Sequence, residues 1–298
     1  MKQLNVLSLC DGYSCGQIAL RECGIPVARY FASEIKKSAI ATTSLNFPDT
    51  IQLGDLRKWR EWELPKIDLL LFGSPCQDFS NINKSRHAYG LKSQKSSLFF
   101  QCVEILRDLM DKNPDLLFLC ENVKGSDVIG SILHTNVLYN DAITFCGCHR
   151  SRNFFTNINA NTYRDLFGVT WWHSNIRFST RPSGEKIKID THDKFNEFSD
   201  YCFNNIKDKY TFNAIYADLT REAEMKCIIR TRGSIMGANI VIFDDHTRRA
   251  LTLKEMRRCL CLPAWVVFPQ YSLSTLQDLI GDGWNIEQIK FIFKHLPK

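Results

Sequence analysis

A cysteine and a glutamate each follow a short apolar run, at positions where a nucleophile and an acid could meet. Cys76 lies in the tripeptide Pro75-Cys76-Gln77, which follows the apolar run 67–74, and Glu121 follows the run 116–120. The carboxyl ends of parallel strands meet at one edge of a sheet, where open α/β sheets bind ligands, so we expect both side chains in one crevice. There a thiolate can act as nucleophile while a carboxylic acid protonates or holds the substrate. Two buried strands whose loops happen to carry these residues would give the same pattern, and this alternative stays open.

Three further acids end the first three predicted strands, and they favour an adenosyl ligand. Asp11 is followed by Gly12, and a glycine turn lets the backbone approach a ligand. Glu34, about 20 residues further on, can accept hydrogen bonds from ribose hydroxyls, and Asp55 can accept one from an adenine amino group. The turn 11–16 lacks the full glycine fingerprint of dinucleotide-binding folds. We therefore expect an adenosyl cofactor other than a dinucleotide.

The elements that must position these residues alternate between strand and helix. Predicted strands cover 4–9, 27–32, 50–53, the run 67–74 and the run 116–120, and predicted helices cover 16–22 and a segment before the fifth strand. That segment has a buried helical stripe, formed by Leu98, Cys102, Ile105, Leu106 and Leu109. The pattern predicts an α/β fold, a Rossmann-like sheet covered by helices on both faces.

The alternation of predicted strands and helices ends near residue 159. This change predicts a small irregular domain over 159–229, inserted into a main domain of 1–158 and 230–298. Order returns with a strand over 239–243 and a helix over 252–260, where Thr252 and Glu255 fit a capping box. Apolar residues at helical spacing predict a last helix, marked by Ile286, Ile289, Ile292 and Phe293.

Composition bounds the class of protein. The chain has 298 residues, of which 44% are hydrophobic and 23% charged, with a net charge of +6. Its apolar runs are too short to span a bilayer, and the first strand begins at once after Met1, so we expect no signal peptide and a cytoplasmic location. The 12 cysteines should then be reduced. The pairs Cys146/Cys148 and Cys259/Cys261 have one-residue gaps unlike those of structural zinc sites, so we expect no metal.

Basic residues are concentrated just after the candidate nucleophile. The loop 76–97 carries Lys84, Arg86, Lys92 and Lys95 against a single acid, Asp78. Such a loop can contact phosphates, although a solvated charged loop would look similar.

These residues resemble the DNA cytosine-5 methyltransferases, and the motifs at 7–12 and 29–34 look most like the catalytic domain of the animal de novo enzymes. Residues 73–80 match the nucleophile motif, 121–123 the glutamate motif and 149–152 the Arg-x-Arg motif. Segment 251–258 resembles the segment that supports the recognition domain in this family. Residues 283–286 resemble the family's last motif, at which the chain returns to the cofactor. The motifs follow the family's order over nearly the whole chain.

The resemblance implies the S-adenosylmethionine-dependent methyltransferase fold, with the insert as target-recognition domain and S-adenosylhomocysteine as product. It implies that Cys76 attacks carbon 6 of a flipped cytosine, that Glu121 holds N3 and the exocyclic amine, and that Arg152 orients the base. Arg150 is expected to hold Glu121 or a phosphate. The expected cofactor contacts are Cys10, Asp11, Gly12, Tyr13, Cys15, Gly16, Glu34, Ile35, Asp55, Leu56, Gly73, Pro75, Gly283, Trp284 and Asn285. The expected DNA contacts are Ser80, Asn122, Arg150, Lys84, Arg86, Thr231 and Arg232.

Double-stranded DNA is therefore the expected partner, for a standalone enzyme of a bacterium or its virus, as in restriction–modification. No membrane association or obligatory protein partner is expected, and a homodimer is left open. One alternative is an RNA methyltransferase of the tRNA-aspartate type, but the Cys-Phe-Thr tripeptide expected of it is missing, and only Phe154-Phe155-Thr156 comes near. A catalytically dead binding partner is the other alternative, although the thiol, the glutamate and the cofactor acids are all present.

Overall fold

The computed structural model describes the chain in two compact units. It describes residues 2–74, 96–123, 128–135, 137–142, 145–146, 148–158, 187–188, 214–217, 222–223, 240–243 and 248–297. The first unit contains the described residues up to Asn140, those from Ser151 to Ile158 and those from Ile289 onward. The second unit contains Asp141–Arg150 and the described residues of the later chain up to Gln288. The predicted boundaries of an inserted domain at 159–229 stay a prediction.

A seven-stranded sheet forms the centre of the first unit. Its strands are β1 (Leu4–Leu9), β2 (Val27–Ser33), β3 (Ile51–Gln52), β4 (Leu69–Phe72), β5 (Leu117–Val123), β6 (Val137–Asp141) and β7 (Ser151–Thr156). They lie in the order β3-β2-β1-β4-β5-β7-β6. The pairs from β3 through β5 are parallel, and β7 runs antiparallel to β5. The predicted α/β class is confirmed, with an antiparallel strand added beside a parallel core.

The third strand is shorter than predicted. The sequence predicts strand over 50–53, but β3 contains only Ile51 and Gln52. Gly54 has a φ of +73°, a left-handed conformation that interrupts an extended strand and turns the chain toward Asp55.

Helices connect these strands. In chain order they are α1 (Cys15–Glu22), α2 (Lys37–Asn46), a 3₁₀ helix (Leu56–Glu61), α3 (Ser96–Lys112), α4 (Val128–Leu133), α5 (Leu253–Cys259), α6 (Leu273–Asp282) and α7 (Ile286–Phe293). The predicted stripe of α3 is confirmed, because four of its five members are buried and join the same core as β1 and β4. The four residues of β4 are all buried as well, which explains their continuous apolar run.

The second unit holds short strands and the helices α5 and α6. Its strands are β8 (Ile187–Lys188), β9 (Ala214–Ala217), β10 (Glu222–Ala223), β11 (Ile240–Phe243) and β12 (Arg248–Ala250). β11 pairs parallel with β9 and antiparallel with β12. The capping box predicted at the start of α5 is confirmed, with Thr252 Oγ1 accepting from Glu255 N–H and the Glu255 carboxylate accepting from Thr252 N–H. Within the described part of the chain, no helix is long and apolar enough to cross a membrane.

Candidate active site

The Glu121 carboxylate lies just past the end of the parallel core. Phe72, the last residue of β4, pairs with Cys120, so Glu121 is one residue beyond the level at which β4 ends. Beyond that level β5 continues beside β7 alone, with Val123 opposite Arg152. From Phe72 the chain passes through Gly73 and the buried Ser74 toward the predicted nucleophile. The same edge of the sheet therefore carries the glutamate and the approach to the thiol.

An ion pair holds the Glu121 side chain. Arg152 Nε lies 2.6 Å from Glu121 Oε1, and the two side chains are only 14% and 12% exposed. The Arg152 guanidinium also donates through Nη1 to the Ser151 carbonyl at 2.8 Å. This contact orients both groups, because a charge-assisted hydrogen bond between largely buried partners is short and strong.

Arg150 and Asn122 are both buried and bond to backbone groups. Arg150 is 2% exposed and donates from its guanidinium to the carbonyls of Gly281 and Gly283, whereas Arg152 forms the ion pair with Glu121. Asn122 is 1% exposed, and its Oδ1 accepts from the backbone N–H of Val123. The contacts of Arg150 and Asn122 with DNA stay predictions.

Glu34 is held in place by backbone groups at the end of β2. Its Oε2 accepts from Gly12 N–H at 2.8 Å, and its Oε1 accepts from the N–H groups of Ile35 and Lys36 at 2.7 and 2.8 Å. Each carboxylate oxygen has two acceptor sites, so these contacts fix the carboxylate and leave acceptor capacity for a ligand hydroxyl. Ile35 beside it is 66% exposed, an apolar surface next to the carboxylate.

The turn between β1 and α1 is unusually strained. Cys10, Gly12 and Ser14 all have φ values between +54° and +62°, in the left-handed region. A Cβ on Gly12 would meet no atom within 4 Å, so the space beside this backbone is open to a ligand. Strained backbone of this kind is typical of ligand sites.

Asp11 lies in this turn with both carboxylate oxygens engaged. Oδ1 accepts from the Tyr30 hydroxyl at 2.8 Å, and Oδ2 accepts from the Ser14 hydroxyl. Burial raises the pKa of Asp11 from 3.8 to about 6, although hydrogen bonds from Ser14, Ser8 and Tyr30 act in the opposite direction. Asp11 can therefore exchange a proton close to neutral pH.

Three of the predicted cofactor contacts are packed into the first unit. Tyr13, Cys15 and Gly16 are buried. A Cβ on Gly16 would lie 2.5 Å from Leu71 Cδ1, so this glycine lets α1 approach β4. Their contact with a cofactor stays a prediction.

Asp55 begins the 3₁₀ helix and is paired with a neighbour that the sequence analysis missed. Its Oδ1 accepts from Arg57 N–H at 3.0 Å, and the Arg57 guanidinium bonds both carboxylate oxygens. The hydrogen bonds from Arg57 lower the pKa of Asp55 and keep it ionised. Leu56, the next residue, is buried. The spacing Asp-x-Arg after a strand is the signal that could have indicated this pair.

The last predicted motif lies in the second unit. Gly283 follows α6, and Asn285 caps α7 by accepting from Gln288 N–H at 3.2 Å. The contact of Gly283, Trp284 and Asn285 with a cofactor stays a prediction. Pro75, Cys76, Ser80, Lys84, Arg86, Thr231 and Arg232 lie outside the described residues. Among the residues that are described, no group of three or more potential ligands could hold a metal ion.

The N-terminal part of the chain matches a known family. Residues 4–127 match the profile of C-5 cytosine-specific DNA methylases, and this segment contains Asp11, Glu34 and Glu121. This part of the chain, less than half of its length, therefore resembles the C-5 cytosine-specific DNA methylases. The predicted resemblance is thereby confirmed, and the edge that carries Glu121 is part of the matching segment.

Curated relatives of this chain come from phages and bacteria. The chain is 37% identical over 127 residues to the orphan methyltransferase M.SPRI of Bacillus phage SPR, and 33% identical over 129 residues to the type II methyltransferase M.NlaIV of Neisseria lactamica. Each match covers 42% of this chain. It covers only 27% and 29% of the two relatives, so the likeness is limited to about a quarter of their length.

Solved structures resemble the chain along nearly its whole length. A DNMT2 variant from Spodoptera frugiperda covers 98% of this chain with a TM-score of 0.67, and 99% of that protein is matched. The Dnmt2 methyltransferase of S. pombe covers 98% of this chain, and 97% of its own length, with a TM-score of 0.68. At 19% and 17% identity these likenesses show a common fold.

Proposed function

We propose that this protein transfers the methyl group of S-adenosylmethionine to carbon 5 of a cytosine flipped out of duplex DNA, with Cys76 as nucleophile. The observation that carries the proposal is the Glu121 carboxylate, held by Arg152 just past the end of β4, from which the chain leads to Cys76. The family match of residues 4–127 and the methyltransferase relatives support the same reaction.

The residues present fit an adenosyl cofactor. Glu34 is fixed by three backbone N–H groups and keeps acceptor capacity for ribose hydroxyls. Ile35 offers an exposed apolar side chain for a base, and Gly12 leaves open space beside the turn. Asp55 remains ionised through Arg57 and can accept from an adenine amino group. When bound, S-adenosylmethionine supplies an electrophilic methyl group.

The side chains of the chain prepare the base. Cys76 as thiolate forms a bond to carbon 6, which makes carbon 5 nucleophilic. Glu121 accepts from the exocyclic amine of the flipped base and shares one proton with its N3, and Arg152 keeps that carboxyl group in position through its 2.6 Å contact. After carbon 5 carries the methyl group, a water molecule takes its proton and the bond between Cys76 Sγ and carbon 6 breaks, which restores the thiolate.

Covalent trapping tests the nucleophile. With duplex DNA containing 5-fluorocytosine, the wild type should form an adduct that survives a denaturing gel, because fluorine cannot leave as a proton does. Cys76→Ser should form no adduct and no methylated product, while its affinity for S-adenosylmethionine stays near the wild-type value. Absence of an adduct with the wild type under turnover conditions would refute the assignment. Transfer RNA as a parallel substrate separates the DNA reaction from the RNA alternative.

Calorimetry tests the cofactor site separately. Glu34→Ala and Asp55→Ala should each weaken S-adenosylmethionine binding by on the order of 1–3 kcal/mol, the scale of a lost charge-assisted hydrogen bond. Glu22→Ala, at the exposed end of α1, is the matched control and should bind normally. Wild-type affinity in the Glu34 and Asp55 variants would remove both residues from the cofactor site.

The insert should read the target sequence, and Arg232, just past the end of the insert and next to Thr231, is our candidate for a base or phosphate contact. A bidentate contact of arginine with guanine is worth about 1–3 kcal/mol of discrimination. Arg232→Ala should therefore relax the methylated motif at one position, or lower occupancy evenly if the residue holds a phosphate. Whole-genome methylation profiles measure both, and an unchanged motif at unchanged occupancy would exclude the contact.

A further inference from the structure

Two half-buried thiols of the second unit, Cys146 and Cys261, lie beside one side-chain amide. Asn285 Nδ2 lies 3.6 Å from Cys146 Sγ and 3.5 Å from Cys261 Sγ. The cysteines are distant in sequence, so the fold of this unit brings them together.

The backbone of Cys261 is strained at a position that normally belongs to glycine. After α5 ends, Cys261 N–H donates to the Arg258 carbonyl at 3.1 Å and Leu262 N–H donates to the Arg257 carbonyl at 2.9 Å. This pair of bonds is the Schellman motif, whose left-handed residue is usually glycine. Cys261 occupies it with a φ of +55°, which a Cβ makes unfavourable. A strained non-glycine residue at such a position indicates a role for its side chain.

The surroundings make Cys146 the more acidic thiol of the pair. The neighbouring Cys261 thiol lowers the pKa of Cys146 against the effect of burial, and a backbone contact at Cys148 and the Asn285 amide act in the same direction as Cys261. The neighbouring Cys146 thiol and burial raise the pKa of Cys261. A thiol with a lowered pKa and partial exposure is the reactive kind.

We propose that Cys146 and Cys261 are a redox-modification site that closes reversibly to a disulfide under a peroxide oxidant. The Cys146 thiolate attacks one oxygen of hydrogen peroxide, which gives a sulfenic acid and, after protonation of the leaving hydroxide, one water. The Cys261 sulfur then attacks the sulfenic sulfur, and its proton leaves with the hydroxyl as a second water. Two thiols are oxidised and one peroxide is reduced to two waters.

Closure changes the contacts of Asn285. A disulfide draws the two sulfur atoms to about 2.05 Å from each other. Asn285 Nδ2 also donates to the Cys259 carbonyl at 3.2 Å, and its Oδ1 caps α7. Oxidation of the pair therefore acts directly on the residue that joins the end of α5 to the start of α7.

Mass spectrometry of the full chain tests the proposal without reference to its activity. The reduced protein is treated with a stoichiometric amount of hydrogen peroxide, blocked with an alkylating agent and digested with trypsin. We expect the peptides 125–150 and 259–290 to become linked, with loss of the mass of two hydrogen atoms, and to separate again after dithiothreitol. Fragmentation assigns the sulfur atoms, because each peptide contains two cysteines.

Matched variants make the result decisive. Cys261→Gly removes the thiol while relieving the left-handed strain, so it should fold well and the linked peptide should fall to background. In Cys146→Ala the linked peptide should also fall to background. Cys23→Ser alters a half-buried thiol of the first unit and should leave the linkage unchanged. Absence of the linkage in the wild type, its persistence in Cys261→Gly, or a bond from Cys146 to another cysteine would overturn the proposal.

Discussion

At the scale of single residues, the contact between Glu121 and Arg152 stands out because little of either side chain is exposed. Arg152→Ala leaves a carboxylate without its partner, and breaking a buried pair costs about 3–5 kcal/mol. We expect the free energy of unfolding to fall by roughly 3 kcal/mol, as measured by urea denaturation. Arg57→Ala is the control, because the Arg57–Asp55 pair is far more exposed, at 64% and 26%, and such pairs contribute about 0–1 kcal/mol. Equal losses in both variants would contradict the prediction.

The titration of Asp11 should be visible in the stability of the protein. The pKa of Asp11 is about 6 in the folded state, and its ordinary value is 3.8. At a pH between these two values, the folded state keeps a proton that the unfolded state has lost. The free energy of unfolding contributed by this group should therefore fall as the pH rises from about 4 to about 6, and stay low above that. Asp11→Asn should lack this fall. Denaturation curves across the window measure the difference, and parallel curves would exclude the raised pKa.

At the scale of elements, Gly16 sets the distance between α1 and β4. A Cβ here would lie 2.5 Å from Leu71 Cδ1 and 3.3 Å from the Tyr30 hydroxyl oxygen, so Gly16→Ala overpacks the contact. We expect a loss of about 1–3 kcal/mol in the free energy of unfolding. Leu71→Ala removes the atom in closest conflict, so the double variant should be more stable than the sum of the two single losses implies. Strict additivity would show that the helix lies farther from the strand.

The sequence predicts those elements whose signals are local. The helical stripe of α3, the capping box at Thr252 and the run of β4 depend on residues a few positions apart, and each is confirmed. The pairing of Glu121 with Arg152 depends on the antiparallel register of β5 and β7, which no local pattern encodes. The meeting of Cys146 with Cys261 likewise depends on tertiary structure. Local patterns thus identified Glu121 and Arg152 but not their contact.

At the scale of the whole molecule, binding to DNA should depend on salt. If Lys84, Arg86, Lys92 and Lys95 contact phosphates, changing two of them to Ala should weaken binding to all sequences alike. The slope of log affinity against log salt should flatten by roughly one unit for each lost contact. Fluorescence anisotropy over a range of salt concentrations measures the slope. An unchanged slope would show that this loop is only a solvated surface.

The order of strands also has a consequence for synthesis on the ribosome. β1 lies between β2 and β4, and the neighbours β3-β2-β1-β4 all come from the first 72 residues, so these four strands can pair before β5 is translated. Until β5 emerges, the edge of β4 that later pairs with β5 has unpaired backbone N–H and C=O groups. Other nascent chains can pair with this edge and aggregate. Nascent chains arrested just after α3 should already protect residues 2–74 from protease. A chaperone that covers β4 should matter most in the interval before β5 emerges.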